Sequence, residues 1–140
     1  MAHPRAGFSA ALVSVLGGIA AIDLVVPFPK QMITESDGDQ VIGLFYDQDT
    51  RAEEFDSITT LGRVVDFIIE LHAPGIAEIE ARLEEIETAI FAATFSGIEC
   101  VELGETRFYR DQEGQRFVGI AALTIRFFYA VQRDNPSVLS

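Results

Sequence analysis

The chain has 140 residues, 49% of them hydrophobic, and carries ten Lys and Arg against 22 Asp and Glu for a formal charge of −12. That size and apolar content suit one domain with a single core and argue against general disorder. The acidity argues against nucleic acid as a direct partner, because phosphate binding needs clustered cations. Cys100 is the one cysteine, so no intrachain disulfide forms, and with only His3 and His72 beside it no zinc spacing is possible.

Residues 1–26 have the composition of an export signal: Arg5, an apolar run from Phe8 to Ile19, then small residues at Gly17, Gly18, Ala20 and Ala21. Phe8, Leu12, Val15, Leu16 and Ile19, however, form one helical stripe, with Ser9, Ala10, Ser14 and Gly17 on a small, weakly polar flank. An export segment needs bulk hydrophobicity and no particular face. The stripe therefore predicts a retained helix that starts near Pro4 and stops at Gly17-Gly18. No later apolar run approaches the ~20 residues of a membrane span.

Residues 23–32 read as a short extended piece that Pro27 and Pro29 keep out of the middle of a sheet. The acidic turn at 34–40 lacks the oxygen spacing and closing Glu of a calcium loop. Residues 40–47 (QVIGLFYD) predict a strand, apolar on both sides and central in its sheet. The polar stretch 48–60 is long for a connection and is expected to be a functional loop, such as a subunit contact, or one without a role. Residues 63–74 alternate cleanly, with Val65, Phe67, Ile69 and Leu71 on one face and Val64, Asp66, Ile68, Glu70 and His72 on the other.

The stretch GIAEIEARLEEIETAIFAATF predicts one helix of about five turns, with a seam of Ile76, Ile79, Leu83, Ile86 and Ile90. Its glutamates fall away from that seam and read as a solvated face, because general acid–base work needs a sheltered carboxyl. After it, a turn at 111–114 joins two strands. The final strand places Phe117, Ala121, Leu123, Ile125, Phe127, Tyr129 and Val131 on one face, and Val118, Ile120, Thr124, Arg126, Phe128 and Gln132 on the other. Residues 134–140 are expected to be a flexible tail. The fold class expected is α+β: a single domain over 1–140, with an antiparallel or mixed sheet and an N-terminal helix and one long central helix packed on one face. The other sheet face, apolar at Val64, Ile68, Ile120 and Phe128, is then a surface for a neighbouring subunit.

Catalytic signatures are missing. There is no phosphate-binding glycine loop, Ser9 lacks the setting of a nucleophile elbow, and His72 with Glu70 reads as strand-edge surface. No catalytic residue, metal ligand or cofactor site is expected, and the chain does not read as an enzyme.

The order of elements resembles that of the tail terminator, or tail completion, proteins of long-tailed bacteriophages and gene transfer particles. The likeness runs from FSAALVSVLGGIA and VVPFP, through TLGRVVDFIIEL and AEIEARLEEIETAIFAA, to the hairpin TRFYRDQEGQRFVGIAALTIRFFYAV. It implies a virion structural protein of the tail-neck region, assembled in the host cytoplasm. The subunit would form a sixfold homo-oligomeric ring on the head-proximal end of the tail tube. Its partners would be the tail tube protein and the head connector or stopper, with DNA only passing through the channel and no membrane involved. Candidate contacts with neighbouring subunits or tube are then Asp49, Arg51, Phe55, Val64, Ile68, Ile120, Arg126 and Phe128. A neck or head-completion protein and a small dimeric ligand-binding module are the alternatives.

Overall fold

The computed structural model describes residues 3–27, 39–113 and 116–139, with only the backbone course given near the hairpin tip at 110–118. Helix α1 (Pro4–Gly17) opens the fold, with Pro4 in the first turn where its missing N–H costs nothing. His3 caps it, its Nδ1 accepting from the Arg5 N–H at 3.3 Å. Strands β1 (Leu24–Pro27), β2 (Val41–Arg51) and β3 (Thr60–Ala73) follow, then helix α2 (Ile76–Ala92) and the strands β4 (Ile98–Glu113) and β5 (Arg116–Gln132).

They form one mixed sheet in the order β1-β2-β3-β5-β4. Strand β1 is parallel to β2 and every other pairing is antiparallel. This is the expected α+β arrangement. Pro27 ends an edge strand, where a residue without an N–H is tolerated.

Both helices pack on the same face. The core joins Phe8, Leu12 and Leu16 of α1 and Ile79, Ile86 and Ile90 of α2 to the odd-numbered residues of β3 and β5. Phe127 is the hub of this layer, with ring centroids 6.0 Å from Phe8, 5.5 Å from Phe67 and 4.8 Å from Phe95. Each fully buried aliphatic or aromatic side chain contributes about 2 kcal/mol by leaving water.

Several expectations are corrected. Ser9 is buried at 6% exposure, not on a polar flank, and its hydroxyl hydrogen-bonds with Tyr46 of β2. Ile76 is 66% exposed and leaves the α2 seam, since it sits at the first helical position beyond the end of β3. Strand β2 runs on to Arg51, so the polar connection begins there and not at residue 48. Strand β4 continues through Glu113, which faces Arg116, so the hairpin turn is tighter than 111–114. Gly114, the side chains of Phe117 and Val118, Pro29 and most of the acidic turn at 34–40 lie outside the described residues.

The segment expected as a flexible tail folds back. The Gln132 N–H donates to Val138 O at 2.9 Å, and Leu139 bridges to Val131 and packs on the core. Gly97, with φ +81°, leaves room for the Leu139 side chain, which any Cβ at that position would strike.

Candidate assembly surface

In β3 the even-numbered residues point away from the helices, and pairing with β5 sets their neighbours. Val64 lies opposite Phe128, Asp66 opposite Arg126, Ile68 opposite Thr124 and His72 opposite Ile120. Val64, Ile68, Ile120, Arg126 and Phe128 therefore do share the face that no helix covers. All five are half-buried. Asp66, only 3% exposed, accepts from Gln48 Nε2 at 3.1 Å and pairs with Arg126 Nε at 3.4 Å. A buried carboxylate needs such partners to offset its lost hydration. A depression of about 340 Å3 lies over this pair, bordered by Ile68, Arg107, Tyr109 and Thr124.

One end of the face is already occupied by the chain's own β2–β3 connection. Residues Glu53–Phe55 make a 3-10 turn, and the Phe55 ring packs on Phe128 with centroids 5.4 Å apart. The turn comes so close to β3 that a Cβ on Gly62 would run into the Ala52 carbonyl oxygen and sit 2.6 Å from Phe55 Cβ. Asp56 fastens it, accepting from the Gly62 N–H at 2.7 Å and from Arg51 Nη2 at 2.6 Å. The Arg51 bond, then the Gly62 bond, hold the Asp56 carboxyl below the usual carboxylate range. Arg51 and Phe55, expected as contacts with neighbours, thus have partners inside their own chain.

Asp49 lies on the opposite side of the sheet from Val64, Ile68, Ile120, Arg126 and Phe128. The β2–β3 register shifts between Tyr46 and Gln48, so Asp47 is an extra residue. Before the bulge the even residues Ile42 and Leu44 face the helices; after it the odd residue Asp49 does. A one-residue shift sends every later side chain to the other face. Asp49 is 11% exposed, and three donors use its carboxylate: Arg5 Nη1 at 2.6 Å, Tyr129 Oη at 2.6 Å and Arg63 Nε at 2.8 Å. Burial alone would push this carboxyl up, but the bonds from Tyr129, Arg5 and Arg63 together outweigh it and leave the group below its ordinary value. Burial and the Asp49 bond raise Tyr129, while burial and nearby Arg5 lower His3, whose ring stands edge-on to Tyr129 at 6.1 Å. The network anchors α1 to the sheet. Nothing in the sequence signals it except that Asp49 and Arg51 continue a strand after an apolar run.

His72 and Glu70 form a 2.6 Å pair on the open face, but β3 is the middle strand, so the pair is not at a sheet edge. Among the described residues no group of three or more His, Cys, Asp or Glu could hold a metal ion. No helix among them is long and apolar enough to cross a membrane.

No family model matches the chain, and no curated protein matches it. Among solved structures it is similar to a chain described as the virion of a native gene transfer agent (GTA) particle. The two share 14% sequence identity, with 86% of this chain and 85% of that chain covered and a TM-score of 0.49.

Proposed function

We propose that this chain is a virion structural protein, a tail terminator whose subunits form a ring that caps the tail tube and joins it to the head connector. The observation that carries this reading is the one-sided sheet. Both helices cover one face, while the other presents Ile68 and Ile120 among charged residues beyond the end that Phe55 covers at Phe128. A half-apolar face of this kind is completed by another protein surface more readily than by water. The resemblance in element order supplies the particular role.

The ring would act by shape and charge, with no bond made or broken. Strands of 16 and 17 residues give β4 and β5 a reach of about 55 Å, enough to meet a neighbour well beyond the subunit's own core. The net charge of −12 suits a channel that lets DNA pass without trapping it, because like charge repels phosphate.

Native mass spectrometry and negative-stain imaging of the purified protein, alone and with tail tubes, test this reading. A sixfold ring seated on tube ends supports it. Rings that ignore tubes favour a neck protein, and a monomer or dimer overturns the terminator role.

A further inference from the structure

Beyond the end of α1 an open groove runs along α2. The turn that leaves α1 forms one wall, so that Ile19, Ala20 and Ala21 face Ala81, Ala89 and Ala92 across a volume of about 660 Å3. These walls are mostly apolar and short, and short side chains let a neighbouring helix come close. At 1.5 Å per residue the stretch from Ala81 to Ala92 is about 17 Å long, which is about three helical turns.

The charge on the rim has one sign. Glu84 and Glu85 line the groove beside Thr88, with no Lys or Arg among the lining residues. Glu85 is taken by Arg82 at 3.2 Å, whereas Glu84 is exposed and has no partner among the described residues. Phe91, 57% exposed, stands on the same side of α2, nearly one turn beyond Thr88. A free carboxylate and an open aromatic ring are both groups that attract a cation.

We propose that this groove docks a basic amphipathic helix of another protein, with an apolar stripe against the alanines and Lys or Arg on the flank toward Glu84 and Phe91. Neither helix of a second copy fits. Its α2 would set Glu78, Glu80, Glu84, Glu85 and Glu87 against the same acidic rim, and like charges in contact repel. Its α1 carries one cation, Arg5, which Asp49 already holds. The groove lies on the helix layer, away from the uncovered sheet face, and does not depend on the ring proposed above.

Fluorescence anisotropy and hydrogen exchange on the full chain test it, with a labelled amphipathic peptide of leucine and lysine as the probe. The peptide should bind and slow exchange across residues 19–21 and 81–92. Glu84→Lys should weaken binding at least tenfold, as should Thr88→Trp, which fills the groove from an exposed position. A proline at the centre of the peptide, which breaks its helix, should do the same. Glu99→Lys, an equal change of charge on the exposed edge strand β4, should alter binding less than threefold. No binding, equal weakening by Glu99→Lys, or protection on the uncovered sheet face overturns the proposal. So does equal binding of the proline peptide or of a leucine–glutamate peptide. Protection of 81–92 on concentrating the protein alone gives the groove to a second copy and overturns it too. Rings that cap tubes without binding the peptide remove this site and keep the terminator role; a monomer that binds it does the reverse.

Discussion

The Tyr129 hydroxyl donates to Asp49 Oδ2 at 2.6 Å, although the two residues stand 80 positions apart. With Arg5 on the same oxygen and Arg63 on its neighbour, that bond ties the first helix, the second strand and the last strand together. Asp49→Asn should leave two arginines short of an anion and cost roughly 2 kcal/mol or more. Tyr129→Phe, which removes one donor of three, should cost about 1 kcal/mol. Urea unfolding measures both, and equal losses would contradict the ranking.

The same carboxylate sets an acid limit. Its folded-state value lies below the ordinary 3.8, so the folded chain holds it ionised more readily than the unfolded chain does. The stabilisation is present above about pH 4 and fades as pH falls through the folded value. Urea midpoints taken from pH 6 to pH 3 should drop at the acid end, and Asp49→Asn should flatten that drop. An identical acid slope in the variant would show that other carboxylates dominate.

Gly62 has no room for a methyl group, because the 3-10 turn rests its backbone against β3. Gly62→Ala should push the turn away, part Phe55 from Phe128 and cost about 2 kcal/mol. Hydrogen exchange should rise across residues 52–60 before it rises anywhere in β5. Unchanged protection there would mean that the turn adapts without loss.

Ile68 lies near the middle of the uncovered face, opposite Thr124 and Phe45. Ile68→Asp should leave the thermal midpoint of the isolated subunit within a few degrees of the parent, yet impair assembly into the proposed ring. Particles of normal size from the variant, measured by light scattering, would take this face out of the interface.

Period accounts for most of what could be read before the structure. The stripe Phe8, Leu12, Leu16 and the alternation Val65, Phe67, Ile69, Leu71 each match a buried set, because side-chain direction is locked to backbone repeat. The same rule fails wherever one residue breaks the repeat. Asp47 does so without any glycine or proline to mark it, and Asp49, expected in the polar connection, continues β2 with its side chain toward the helices. The return of Leu139 and the seating of Phe55 depend on contacts between distant segments that no local pattern encodes. Of the candidate surface, the five sheet residues were legible by alternation, whereas Arg51, Phe55 and Asp49 were drawn from a segment whose path only packing decides.

The anchoring of α1 also has a consequence in time. Phe8 rests against Phe127 and Tyr129, and Arg5 is held through a carboxylate that Tyr129 shares. Ribosomes add about 5–20 residues per second, so α1 emerges many seconds before the strand it docks on. For that interval Phe8 lacks the Phe127 and Tyr129 rings, and contacts so far apart in sequence form slowly. The seat of α1 is thus complete only once β5 has been made, although β1 and α2 meet the helix before then.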